Sequence, residues 1–230
     1  MTRLGIIGGI GPETTIVYYR KIVSAYLAGN PDGHYPPVII NSIDMTRMLD
    51  LIGDGQYEAV SGYLADEIGR LERAGASIAA LASNTPHIVF DEVQALSPLP
   101  LVSIVEAARD RIVESGIERV ALFGTRFTMQ GGFYDRVFAA SGIEIMTPDA
   151  ANQDYIHDKY MSELVAGIVR DETRAELVRI ARAMVQQNGV QGLVLGGTEL
   201  SLILGADDVT EPALFDTADI HIERLLGLLD

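Results

Sequence analysis

Short apolar segments alternate with longer amphipathic segments along the whole chain. Continuous apolar strands are typical of a sheet that helices cover on both faces. Because helical patterns separate the segments, the alternation predicts parallel sheets in an α/β fold. The predicted strands are Leu4–Gly8, Val38–Asn41, Ile78–Ala82, Leu101–Val105, Arg119–Phe123, Ile143–Met146 and Gly192–Leu195.

The amphipathic segments have the spacing of helices with one buried face. In the segment that begins at Tyr57, apolar residues recur at positions 57, 60, 64, 68 and 71, which is one side of a helix. Leu177, Ile180 and Met184 repeat this spacing later in the chain. A last helix is predicted after Asp216.

The two halves of the chain repeat the same order of features. A buried strand ends at Gly8 in the first half and at Gly124 in the second. Gly8 and Ser83 are 75 residues apart, and Gly124 and Gly197 are 73 residues apart. The repetition predicts two similar Rossmann-like α/β domains with parallel sheets, related by a pseudo-twofold axis. We expect the first domain to comprise residues 1–103 and 212–230, with a returning C-terminal helix, and the second to comprise residues 104–211.

Charge and composition narrow the function. The chain has 17 Lys and Arg against 32 Asp and Glu, a net charge of −15, so it repels phosphate backbones and is not expected to bind nucleic acid. It has no cysteine, which excludes disulfides and thiol chemistry. We find no signal peptide and no run of 18 apolar residues, so we expect a cytoplasmic protein without membrane contact.

Four loops after predicted strands are rich in glycine and small hydroxyl residues. They begin at Gly8, Ser83, Gly124 and Gly196. Ligands of open α/β sheets bind beyond the carboxyl ends of strands, and backbone N–H groups at helix starts suit a carboxylate or phosphate. The alternative is that Thr14, Ser83 and Thr198 only cap helices.

Nucleotides and metals fit these loops poorly. The first loop has Thr14 in place of the third glycine of the dinucleotide fingerprint, and no P-loop lysine is present. The four histidines, His34, His87, His157 and His221, lack metal-ligand spacing, so no metal or other cofactor is expected. His87 follows Ser83 by four residues, and in a helix the two would share one face.

Five motifs along the chain together resemble those of one protein family. They are Gly8–Thr15 with Tyr18 and Tyr19, Ser83–His87, Gly124–Met129, Leu195–Leu200, and Phe215–Thr217 with His221. The family that they resemble is the aspartate/glutamate racemase family of PLP-independent amino-acid racemases. The resemblance spans the whole chain in order. It implies two facing α/β domains with an active-site cleft between them, a small amino-acid or carboxylate ligand, and a homodimer.

The resemblance also assigns roles to individual positions. The family uses two cysteines on opposite faces of the substrate Cα, and these positions are Ser83 and Gly197 here. Two-thiol racemisation is therefore impossible, and the candidates for acid–base catalysis in an altered mechanism are Ser83, His87, Glu199 and water. The implied substrate-binding residues are Gly9, Arg47, Asn84, Thr85, Thr125 and Thr198.

Three functions remain open at this point. The first is an isomerase of the amino-acid racemase family with an altered or impaired mechanism. The second is a lyase or decarboxylase type of reaction on a related acid. The third is a binding protein without catalysis.

Overall fold

Strands of the computed structural model form two separate four-stranded sheets, in which all neighbouring strands are parallel. The structure describes residues 2–30, 32–209 and 211–229. The chain divides into two compact units. The first unit runs to Ile104 and resumes at His221, and the second comprises Val105–Ile220. This arrangement confirms the predicted α/β fold with parallel sheets.

The first unit contains one sheet and the helices that connect its strands. Its strands are β1 (Leu4–Gly8), β2 (Val38–Ser42), β3 (Ile78–Leu81) and β4 (Leu101–Val102). Its helices are α1 (Pro12–Gly29), α2 (Met45–Gly53), α3 (Tyr57–Arg73) and α4 (Phe90–Leu96), and Thr85–Val89 forms a 3₁₀ helix.

The second unit repeats this design. Its strands are β5 (Arg119–Phe123), β6 (Glu144–Met146), β7 (Gly192–Leu195) and β8 (Ala213–Asp216). Its helices are α5 (Ile104–Ser115), α6 (Arg126–Gln130), α7 (Phe133–Ala139), α8 (Ala150–Ser162), α9 (Asp171–Asn188) and α10 (Thr217–Leu226). Leu164–Ala166 and Thr198–Leu202 form 3₁₀ helices, and α10 continues into the first unit from His221.

The strand orders of the two sheets are equivalent. They run β2-β1-β3-β4 and β6-β5-β7-β8, so the first strand of each unit lies between the second and the third. The chain therefore reverses its direction across the sheet between β1 and β3, and again between β5 and β7. Such switch points are where open α/β sheets bind ligands.

Apolar faces of the long helices pack as their spacing predicts. In α3, Val60, Leu64, Ile68 and Leu71 are buried, whereas Tyr57, which begins the pattern, is 46% exposed. In α9, Leu177, Ile180 and Met184 belong to the core of the second unit. The spacing identifies the buried face correctly, except at the first turn of α3.

Two strands differ from the sequence prediction by more than one residue at an end, whereas β2, β3 and β6 differ by a single residue. The predicted strand Leu101–Val105 ends at Val102, because Ile104 begins α5 and its backbone N–H donates to a histidine ring. Ala213–Asp216 pairs with β7 as an unpredicted fourth strand of the second sheet. The return to the first unit consequently begins at His221 rather than at residue 212. Among the described residues, no helix is both long and apolar enough to cross a membrane.

Candidate active site

Three loops of the first unit begin at the same edge of its sheet. Gly8 pairs with Ser42, and Ile7 pairs with both Asn41 and Leu81, so β1, β2 and β3 end at the same level. The residues that follow these strands include the predicted site residues Gly9, Arg47, Ser83, Asn84 and Thr85. The fold thus places these loops at one edge, on and beside the switch point between β1 and β3.

Gly9 turns the chain from β1 towards α1. Its φ of +82° is a conformation that side chains disfavour, and a Cβ there would lie 2.5 Å from the carbonyl oxygen of Ile43. The Gly9 N–H donates to the Thr15 hydroxyl at 2.8 Å. The first helix therefore satisfies this N–H group, and Gly9 contributes a tight turn.

The loop after β3 presents buried polar side chains. Ser83, Asn84 and Thr85 are 6%, 1% and 5% exposed. Asn84 stands before the 3₁₀ helix Thr85–Val89, but its side chain makes no capping hydrogen bond there. Simple helix capping therefore does not explain the amide at position 84.

His87 holds the backbone beyond β4. Its Nε2 accepts the Ile104 N–H at 3.3 Å, and its ring stacks on Phe90 with centroids 4.9 Å apart. Burial, and then the neighbouring His221, lower the pKa of His87 to about 3. The backbone of Ser83 and Asn84 partly offsets this fall, although Nδ1 makes no hydrogen bond to any described residue. The contacts are those of a neutral structural imidazole, and a part in proton transfer stays a prediction.

His221, from the C-terminal motif, has a similar structural setting in the first unit. Its Nε2 lies 3.1 Å from the Val102 carbonyl and its Nδ1 lies 2.9 Å from the Tyr18 hydroxyl. The carbonyl only accepts, so Nε2 donates to Val102 and Nδ1 accepts from Tyr18. Burial lowers the pKa of His221 to about 4. Together, the two histidines hold the chain from Val102 to Ile104.

Arg47 lies on the first turn of α2, the helix after β2. The Asp44 carboxylate accepts the backbone N–H groups of Thr46 at 2.9 Å and Arg47 at 3.3 Å, and thereby caps the helix. The Arg47 guanidinium lies over the Tyr63 ring, 4.3 Å from its centroid. The side chain is exposed, and stacking on an aromatic face leaves the edge of the guanidinium open for a carboxylate.

In the second unit, the loops after β5 and β7 meet at the equivalent edge. The Gly196 N–H donates to the Phe123 carbonyl at 2.7 Å, and a Cβ on Gly124 would lie 2.8 Å from the Gly196 carbonyl. Thr125 caps α6, because its hydroxyl accepts the Thr128 N–H at 3.2 Å. Close backbone approach thus explains Gly124, and helix capping accounts for at least part of the role of Thr125.

Lack of space for a side chain, and not the backbone conformation, accounts for glycine at position 197. Its φ of −140° and ψ of 119° are extended values that any residue adopts. A Cβ at position 197 would collide with Cε2 of Tyr160 and would lie 3.1 Å from its Cζ and 3.2 Å from its hydroxyl. The Tyr160 ring, from α8, therefore occupies the space that a side chain at position 197 would need.

Tyr160, Thr198 and Glu199 form a buried hydrogen-bonded cluster beside Gly197. The hydroxyls of Tyr160 and Thr198 both donate to Oε2 of Glu199, the latter at 3.0 Å. Glu199 is 1% exposed and Tyr160 is 6% exposed. Burial, and then the charge of Glu199, raise the pKa of Tyr160 well above its ordinary value, so the phenol stays protonated at neutral pH.

Tyr160 is the residue of this cluster that sequence reasoning missed. It lies 37 residues before Gly197 and belongs to no motif of the resemblance. The signal that could have found it is indirect. A glycine at a position where related chains carry a larger side chain requires another group to fill the volume.

Neither the polar loop after β3 nor the cluster of Tyr160, Thr198 and Glu199 has the composition of a metal centre. Among the residues that the structure describes, no group of three or more His, Cys, Asp and Glu is placed to hold a metal ion. The first unit instead offers hydroxyl and amide groups, and the second offers a carboxylate with two hydroxyl donors. Such groups bind an amino acid or move a proton.

Comparisons with known proteins identify the family that the chain matches. A family model described as Asp/Glu/Hydantoin racemase matches residues 7–225. The broad-specificity amino-acid racemase RacX of Bacillus subtilis is 29% identical over 150 residues, which are 64% of this chain and 64% of RacX. The chain thus spans just under two thirds of that relative's length.

Two solved structures are similar over essentially the whole chain. One, from Yersinia pestis, is described as a candidate Asp/Glu racemase; it is 33% identical with a TM-score of 0.89, and covers 100% of this chain and 99% of its own. The other is an aspartate racemase homologue from Pyrococcus horikoshii. It is 34% identical with a TM-score of 0.83, at the same coverage.

Proposed function

Because the chain belongs to the Asp/Glu/hydantoin racemase family, we propose that it is an amino-acid isomerase with an altered mechanism. In this proposal it binds a small amino acid or carboxylate and exchanges the proton on the ligand's Cα. Membership of the family confirms the resemblance seen in the sequence. The activity of RacX, a broad-specificity amino-acid racemase, supports the reaction type, and the aspartate racemase homologue supports an acidic ligand as one choice.

The observation that carries the proposal is the placement of polar side chains at both switch points. Ser83, Asn84 and Thr85 follow β3, and Thr198 and Glu199 follow β7, which are equivalent strands of equivalent sheets. All five side chains are buried. Buried polar groups at the carboxyl ends of strands are the usual constituents of a small-molecule site.

The proposed roles divide between binding and chemistry. Asn84, Thr85 and Thr198 would hold the α-carboxylate and amine of the ligand, with Gly9 and Thr125 shaping the adjoining turns. Arg47 would contact a second carboxylate. The positions of the two family cysteines, Ser83 and Gly197, carry no thiol, so proton transfer falls to other groups, with Glu199 and His87 as the predicted ones. The proposal includes a cytoplasmic homodimer that works without PLP.

The test is deuterium uptake at Cα, measured by NMR in D₂O over a panel of D- and L-amino acids. Calorimetry on the same panel identifies those that bind. We expect at least one amino acid to bind and to take up deuterium. We expect Asn84→Ala and Thr198→Ala, one from each unit, to weaken its binding about tenfold or more.

The matched control is Gln187→Ala, an exposed position on α9 outside both loops, which should bind as the parent does. A panel in which nothing binds would contradict the proposal. Binding without uptake would leave only a binding protein, and a product of altered mass would indicate a lyase or decarboxylase.

A further inference from the structure

The loop after β7 lacks the acid–base group that the family has at this place. The family's second thiol position is a glycine here, so that residue brings no acid or base to the substrate. The space beside it is nevertheless filled, because the Tyr160 ring meets the position of a Cβ on Gly197. A side chain at 197 would therefore compete with the phenol for this space.

The group that occupies this volume is itself able to transfer protons. The Tyr160 hydroxyl lies 3.2 Å from the Cβ position of residue 197, close to the place where a side chain of that residue would begin. It donates to Oε2 of Glu199, a carboxylate that is 1% exposed. A hydroxyl bonded to a buried carboxylate is a standard proton relay, since the carboxylate accepts the phenolic proton as the phenol receives another.

We propose that Tyr160 and Glu199 together replace the missing thiol at position 197 as the acid–base pair on that side of the substrate. This assignment rests on the proposed function. It names Tyr160 as a further catalytic residue and gives Glu199 a defined role as the terminal proton acceptor.

The proton transfer balances without any further reactant. The Cα–H bond of the amino acid breaks, and its proton passes to the Tyr160 oxygen while the phenolic proton passes to Glu199 Oε2. The electron pair stays on the substrate and is delocalised into its carboxylate. The reverse transfer returns a proton to the same face of Cα, and exchange of the Glu199 proton with water makes that proton a solvent proton.

A one-sided pair has a distinctive stereochemical result. Inversion needs a second acid on the opposite face, and Ser83 is a far weaker acid than a thiol. We therefore expect one enantiomer of the bound amino acid to take up deuterium with retention. Inversion should be slower, because it depends on Ser83 or water.

The test compares two tyrosines of the same helix. Tyr160→Phe keeps the ring that fills the space beside Gly197 but removes the hydroxyl. Tyr155→Phe makes the same change one and a half turns earlier, where the ring packs at the edge of the core. We expect Tyr160→Phe to reduce deuterium uptake by that enantiomer on the order of 100-fold or more, with its dissociation constant within threefold of the parent value. Tyr155→Phe should retain parental uptake.

A second pair of variants tests the replacement of a thiol directly. Tyr160→Ala should lose uptake, and adding Gly197→Cys to it should restore uptake, because the vacated space then receives a thiol. Parental uptake in Tyr160→Phe would overturn the assignment while leaving the proposed function intact. A parent that binds amino acids but shows no uptake with any of them would overturn both.

Discussion

The loops after β3 and β7 occupy equivalent places in the two sheets, yet they present different chemistry. The first carries its own side chains, Ser83, Asn84 and Thr85, followed by the neutral imidazole of His87. The second begins with a glycine and takes its phenol from α8, a separate helix. In one unit, the polar groups of the loop come from residues at the strand end itself. In the other unit, with the same backbone arrangement, a neighbouring helix provides one of them.

The largest expected difference in stability between the two loops is at their third residues, Glu199 and Thr85. Glu199→Ala leaves the buried hydroxyls of Tyr160 and Thr198 without their shared acceptor, so we expect a loss of about 2–4 kcal/mol in the free energy of unfolding. Thr85→Ala, at the equivalent position, removes one hydroxyl and should cost about 1 kcal/mol. Urea unfolding of both variants measures the difference, and equal losses would contradict the asymmetry.

The next largest difference should be in the stability cost of a cysteine introduced at the two equivalent positions, 197 and 83. Gly197→Cys collides with the Tyr160 ring, and such overpacking costs about 1–3 kcal/mol. Ser83→Cys exchanges a hydroxyl for a thiol of similar shape and should cost less than about 1 kcal/mol. Thermal unfolding gives both values.

A double-mutant cycle between positions 197 and 160 tests whether the Tyr160 ring causes the cost of Gly197→Cys. Gly197→Cys should become nearly neutral when Tyr160 is already alanine, because the colliding ring is gone. A cost at position 197 that is independent of residue 160 would show that the cost does not come from the collision with the Tyr160 ring.

Acid sensitivity of the first loop is the next expected effect. The lowered pKa of His87, about 3, means that the unfolded chain binds a proton near pH 6.5 while the folded protein does not. Its contribution to stability is full above pH 6.5 and is lost progressively as the pH falls towards 3.

His87→Gln keeps an acceptor for the Ile104 N–H but does not titrate. We expect the slope of unfolding free energy against pH, between pH 6 and 4.5, to decrease by about 1.4 kcal/mol per pH unit. Urea unfolding at three pH values in this range measures the slope. An unchanged slope would mean that His87 titrates normally.

The smallest expected effect on stability belongs to Arg47. Its guanidinium stacks on Tyr63 at an exposed site, so Arg47→Ala should change the free energy of unfolding by about 0.5–1 kcal/mol. The effect of Arg47→Ala on ligand binding should depend on whether the ligand has a second carboxylate. Calorimetry should show weaker binding of a dicarboxylic amino acid and unchanged binding of a monocarboxylic one. An equal effect on both would remove Arg47 from the proposed site.

The sequence was sufficient for those features that local patterns determine. The apolar runs located β1, β5 and β7 with their observed bounds, and the helical spacing located the buried face of α3. The repeat from Gly8 to Ser83 and from Gly124 to Gly197 anticipated two sheets of equivalent order. These successes share a cause, because continuous burial leaves a continuous apolar pattern.

The features that escaped prediction depend on contacts between distant parts of the chain. β8 is a short edge strand whose register is set by β7, and its four residues have no pattern of their own. Tyr160 reaches Gly197 and Glu199 from another helix, so neither spacing nor motif reveals the cluster. Predicting such a site requires the tertiary fold first.

The most direct test of the account follows deuterium at Cα of both enantiomers of each amino acid that the parent protein binds. We predict uptake by one enantiomer with retention of configuration, and inversion that is slower by a factor of about 100 or more. Equal uptake by both enantiomers at the rate of inversion would contradict the one-sided pair at Tyr160 and Glu199. No uptake by any bound amino acid would contradict the isomerase itself.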